Sequence, residues 1–111
     1  MVNFYHPQLF DGVKVEVKVR FFTVLREIIG KREEVFSLPD DETVTIETVL
    51  TLLSQKYGTA FTDYVYDPHS GQPRGFLQFL VNGASIQPLI GIRTPLNNRD
   101  VLAILPPVGG G

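Results

Sequence analysis

A chain of 111 residues is one domain by length, and with 43% apolar residues, eight Phe and four Tyr it can bury a core without staples. It has no Cys, which excludes a disulfide framework, a thiol nucleophile, a thiolate zinc site and a persulfide carried on cysteine. Ten basic against twelve acidic side chains leave a formal charge of −2 and no basic footprint for nucleic acid. No apolar run reaches the roughly 18 residues of a membrane span.

Residues 1–12 contain Pro7 and Gly12, show no periodicity, and read as an N-terminal arm ahead of a domain over 13–108. The arm lacks the basic start and apolar run of a secretory signal, so a cytoplasmic location is expected. His6 within it reads as a solvated side chain rather than a ligand. From Val13 to Phe22 the chain alternates. Val13, Val15, Val17, Val19 and Phe21 share one face and Lys14, Glu16, Lys18 and Arg20 the other, the period of a strand buried on one side. Phe22 breaks the pattern by setting an aromatic ring at the end of the polar face.

Thr23 to Ile29 predicts a short helix stopped by Gly30, and Glu33 to Leu38 a second strand ended by Pro39. The acidic run Asp40, Asp41, Glu42 has no third ligand at useful spacing and reads as a solvated loop, so no metal site is expected. Thr45 is a good N-cap for the clearest helix, and Glu47 suits the positive end of its dipole. Ile46, Val49, Leu50, Leu53 and Tyr57 then make one apolar stripe up to Gly58. Residues 59–75 are irregular, with a short strand expected at Tyr64 to Tyr66 and a turn at Asp67-Pro68-His69-Ser70-Gly71. The Asp, His and Ser of that turn are chain neighbours, not a triad assembled by a fold.

Phe76 to Val81 predicts a third strong strand, and Asn82-Gly83 a tight hairpin into the next short segment. A further turn is expected at Asn97 to Asp100. Val101 to Leu105 is apolar throughout, as in a strand that is central or is buried on one face and sticky on the other, and is expected beside the first strand in the middle of the sheet. The order of elements gives an α+β roll with one main helix across a mixed sheet.

The chain ends Pro106-Pro107-Val108-Gly109-Gly110-Gly111. Pro106 cannot donate to a ladder and stops the last strand. The Pro pair stiffens the exit, and the glycines of the 109–111 tail offer no side chain to block a narrow channel. Six residues span at most roughly 20 Å at about 3.3 Å each, enough to deliver a terminal carboxylate into a partner's buried site. A carboxylate can attack the α-phosphate of ATP to give an acyl adenylate. The chain has no GxxxxGK[ST] loop, so the ATP site is expected on an activating partner, with no cofactor bound here. The plainer alternative is that Gly109 to Gly111 form an unreactive frayed end.

The segments Val17-Lys18-Val19-Arg20-Phe21-Phe22, Leu25-Arg26-Glu27, Thr45-Ile46-Glu47, Leu80-Val81-Asn82-Gly83 and Asp100 through Gly111 together resemble the MoaD/ThiS family, and most of all the small subunit of molybdopterin synthase. The resemblance covers about residues 13–111 and implies a β-grasp, ubiquitin-like fold. It implies a sulfur carrier, not itself an enzyme, whose Gly111 carboxylate is adenylated by an E1-like enzyme and converted to a thiocarboxylate. Pro106, Pro107, Val108, Gly109 and Gly110 would then lie in the partner's channel. The implied partners are that E1-like enzyme and the molybdopterin synthase large subunit, with no nucleic acid and no membrane. A modifier conjugated to lysines, of the archaeal small-modifier type, and a β-grasp binding module remain as alternatives. Strand parity, combined with the resemblance, puts Phe22, Leu80, Ala103 and Leu105 on the sheet face away from the helix, as the partner interface.

Overall fold

The computed structural model describes residues 14–39, 43–86 and 91–107. The arm at 1–12, Val13, the acidic run Asp40 to Glu42 and the tail from Val108 onward lie outside the described residues. Strand β1 (Lys14–Phe21) leads into helix α1 (Thr23–Ile29) and strand β2 (Glu33–Pro39). Helices α2 (Ile46–Tyr57) and α3 (Thr59–Val65) follow, then β3 (Gln78–Val81), β4 (Ala84–Ile86) and β5 (Asp100–Leu105). The strands form one mixed sheet in the order β2-β1-β5-β3-β4. β1 and β5 run parallel, while the β1–β2, β3–β5 and β3–β4 pairs are antiparallel. The expected α+β roll is present, and the last strand sits in the middle of the sheet beside the first.

The alternation of β1 appears directly as burial. Val15, Val17, Val19 and Phe21 are buried, and Lys14, Glu16, Lys18 and Arg20 are exposed. Leu102 and Ile104 of β5 and Phe79 of β3 join the same inner face at 0% exposure. Ile46, Val49, Leu50 and Leu53 of α2 complete one core cluster with them. Full burial of such side chains contributes about 1.5–3 kcal/mol each, which fixes which face of the sheet points outward. One-residue slips in β1 or β5 would expose the whole inner set.

Local chemistry sets the ends of the elements. The Thr45 hydroxyl accepts from the Thr48 backbone N–H at 3.2 Å, and Thr48 Oγ1 accepts from the Thr45 backbone N–H at 3.1 Å, closing a reciprocal cap. Gly30 (φ +86°) stops α1 in the left-handed region. Asn82 (φ +52°) and Gly83 (φ +87°) give the β3–β4 hairpin both positive-φ positions of a type I′ turn. At the far end of α2, Glu34 of β2 accepts from the Tyr57 hydroxyl at 2.5 Å and pairs with Lys56 and Lys31.

Two expectations are corrected here. Tyr64 to Tyr66 is not a strand: Thr59–Val65 is helix α3, with Phe61 and Val65 buried one turn apart against the core. Burial of those two at i, i+4 outweighs the β-propensity of Tyr-Val-Tyr, and only Tyr66 makes a bridge, to Pro73. The third strand also begins later than Phe76. Arg74 donates its backbone N–H to Val65, and Leu77 donates to Arg74, so residues 74–77 form a turn and the ladder starts at Gln78.

Candidate functional site at the root of the tail

β5 runs between β1 and β3 and stops at Leu105, as a following proline requires. Pro106 is buried and Pro107 exposed, so the chain leaves the domain one residue later than the Pro-Pro pair suggests. The free reach from Pro107 to Gly111 is five residues, at most about 17 Å. Gly111, Gly110, Gly109 and Val108 lie outside the described residues.

The ladder register shows what surrounds that exit. On the outer face, Ala103 is paired on one side with Arg20 and on the other with Leu80. Two residues further along β5, Leu105 is paired with Gln78. Phe21 pairs with Ile104, so the next residues, Phe22 and Leu105, leave that rung together on the outer side. The four expected interface residues, Phe22, Leu80, Ala103 and Leu105, thus share the end of the sheet from which the tail departs. All four are half-buried rather than fully exposed.

Phe22 has a charged setting that strand parity alone does not give. The guanidinium of Arg20 lies 5.8 Å from its ring centroid and that of Arg26 lies 5.9 Å away, both within cation–π range. Arg26 comes from the last turn of α1 and also donates Nε–H to the Phe21 carbonyl at 3.4 Å. Thr23 follows Phe22 with φ +48°, an unusual conformation for a β-branched residue, and it turns the chain from strand into helix within one step. The signal in the sequence for this collar is Arg20 two residues before Phe22 and Arg26 four after it. Across β1, Lys18 and Glu33 form an exposed ion pair at 3.7 Å.

The Asp67–Gly71 turn is built for shape. Asp67 Oδ1 accepts from the backbone N–H of His69 at 2.7 Å and of Ser70 at 3.4 Å, and Ser70 Oγ accepts from Gln72 N–H. Asp and Ser are therefore spent on the backbone, as Asx turns use them. Among the described residues no group of three or more His, Asp or Glu side chains could hold a metal ion, and no helix is long and apolar enough to cross a membrane.

Comparison with known proteins agrees with this geometry. The chain is 31% identical over 97 residues to small archaeal modifier protein 3 of Haloferax volcanii, covering 87% of this chain and all of that protein. The solution structure of small archaeal modifier protein 1 from Methanosarcina acetivorans superposes with a TM-score of 0.69 at 32% identity, covering 88% of this chain and 98% of that one. The crystal structure of small archaeal modifier protein 1 from Haloferax volcanii gives 0.71 at 22% identity, covering 85% and 99%, a likeness of fold. The ThiS family model matches residues 19–111, from the middle of β1 through the last glycine. The chain therefore belongs to the ThiS family of ubiquitin-fold sulfur carriers and modifiers.

Proposed function

We propose that this protein is a carrier activated at its C-terminus. Its Gly111 carboxylate is adenylated by an E1-like enzyme that supplies the ATP site, and the adenylate is then displaced by sulfur to give a thiocarboxylate. One observation carries the reading: the last strand is pinned in the centre of the sheet and passes directly into an exposed Pro107 and a glycine tail, within a family match that runs to Gly111. The globular part docks and the tail enters. In the adenylation step a carboxylate oxygen attacks the α-phosphate and pyrophosphate leaves. In the second step hydrosulfide released by the sulfur donor attacks the acyl carbon, the bond from that carbon to the AMP oxygen breaks, and AMP leaves with the electron pair, giving the thiocarboxylate.

Two fates of the activated end are open to this chemistry. Attack by a lysine amine gives an isopeptide bond, and two relatives above 30% identity, both named as small archaeal modifiers, favour it. Delivery of sulfur to a molybdopterin synthase large subunit is the reading supported by the Pro106-Pro107-Val108 ending. Against it, Ile104 and Leu105 stand where that small subunit often has two aromatics.

Mass analysis of the terminal glycine after incubation with an E1-like enzyme, ATP and a sulfur donor tests the shared step. The expected result is the gain in mass for replacement of one oxygen by sulfur. Lysines of other proteins that carry the tryptic peptide Asp100–Gly111 through an isopeptide bond mark the modifier fate, and their absence alongside a thiocarboxylate marks the carrier alone. An unchanged terminus under conditions that charge a related carrier would refute the proposal.

A further inference from the structure

Residues 58–77 form a hydrogen-bonded segment between α2 and β3. Arg74 holds it shut. Its backbone N–H donates to Val65 at 2.8 Å, its Nε–H to Tyr64 at 3.1 Å and an Nη2–H to Asp63 at 3.1 Å, which ties the strand approach to the C-terminal end of α3. The result is to present an aromatic pair. Tyr64 and Phe76 have ring centroids 6.0 Å apart at an interplanar angle of 53°, and Phe76 is 47% exposed. Single exposed apolar side chains are common on protein surfaces, and Val24 and Val35 are exposed as well. What sets Phe76 apart is its place in a hydrogen-bonded turn leading into β3, with Tyr64 against it.

Its position is set by the ladder. Gln78 is paired with Leu105, and Phe76 lies in the turn that leads into Gln78, so it sits at the end of the sheet from which Pro107 departs. Phe22 stands on the β1 side of the same end. From Pro107 the chain reaches at most about 17 Å. Any protein that takes Gly111 into a buried site must bring its wall within that distance, and so covers the ground around the root on both sides.

We infer that Phe76, backed by Tyr64, is a second aromatic anchor for the E1-like activating enzyme. It contacts the apolar rim of the channel that admits the tail, on the β3 side of the root and opposite Phe22. The inference rests on the proposed activation of Gly111. It gives residues 59–77 a role in choosing which enzyme accepts this carrier.

The test is ATP–pyrophosphate exchange by an E1-like enzyme, measured against the concentration of the full-length chain, with thermal unfolding of each variant alongside. Phe76→Ala is expected to raise KM for the carrier about tenfold, as for loss of an interface anchor, with kcat little changed. Phe76→Leu is expected to recover most of the loss, and Tyr64→Ala to fall between. The unfolding temperature of Phe76→Ala is expected to match wild type. Exchange by the wild-type chain with an unchanged KM for Phe76→Ala overturns the inference and leaves the carrier reading standing. A fall in unfolding temperature with KM unchanged also overturns it, because Phe76 then serves the chain's own packing. Failure of the wild-type chain to support exchange overturns the carrier reading and this inference with it.

Discussion

Phe22 is held by charge as much as by packing. Two guanidinium groups lie near its ring, each worth about 0.5–1 kcal/mol at an exposed site, and the ring stays half-buried outside the core. The side chain is thus available to a partner and ordered before binding, which reduces the entropy lost on docking. Phe22→Ala or Leu105→Glu is expected to weaken binding to the activating enzyme or other acceptor by about 1–3 kcal/mol, with much smaller changes in folded stability. Titration calorimetry against urea unfolding separates the two quantities. Affinities equal to wild type for both variants would mean that only the tail is recognised. The outward placing of Phe22, Leu80, Ala103 and Leu105 was legible from strand parity once the family resemblance had set Leu102 and Ile104 inward. The Arg26 contribution shows in the sequence only as a spacing of four residues after Phe22, because its contact with the ring depends on the angle at which α1 leaves β1 after Thr23.

At the scale of elements, the sequence was clearest where one period ran long enough to be read. β1 alternates over eight residues, and α2 keeps its stripe over twelve with a Thr cap in front. Helix α3 has only seven residues, and its evidence reduces to Phe61 and Val65 at i, i+4. That signal competes with a Tyr-Val-Tyr run that local propensity assigns to a strand, and tertiary burial decides. The tie between β2 and α2 was also illegible, because Glu34 meets Lys56 and Tyr57 only after folding. Burial pulls the Glu34 carboxyl upward. The hydrogen bonds from Lys56 and Tyr57, with the charges of Lys31 and Lys56, outweigh it and hold the group below its ordinary 4.5. A depressed folded value means the unfolded chain takes up the proton first as pH falls. The stabilisation is therefore complete above about pH 4.5 and is lost on acidification through the lower folded value. Glu34→Gln lacks this contribution, so the gap in urea midpoint between wild type and variant is expected to narrow below pH 4.5. A gap independent of pH would show that Glu34 acts through packing.

For the whole molecule, the arrangement separates the part that folds from the part that reacts. The core closes around β1, β3, β5 and α2 with Ile104 as its last member, and among the described residues the last buried one is Pro106. Nothing from Pro107 onward contributes to that core among the described residues, so changes at the terminus should be silent in stability and decisive in chemistry. Leu102 makes the contrast. It is fully buried in the central strand, paired with both Val19 and Val81. Leu102→Ala is expected to cost about 2–5 kcal/mol through lost burial and a cavity that the close neighbours cannot fill. At a temperature where this variant remains folded, its adenylation should stay near wild type, because the outer face and the tail are untouched. Replacing the Gly111 carboxylate by an amide is expected to give the opposite pair of results. The unfolding temperature stays at the wild-type value, and pyrophosphate exchange disappears because the nucleophilic oxygen toward the α-phosphate has been removed. Exchange by the amide-capped chain would place the reactive group elsewhere in the molecule. A large loss of stability on capping would show that the terminus is part of the fold and that the two functions are not separable.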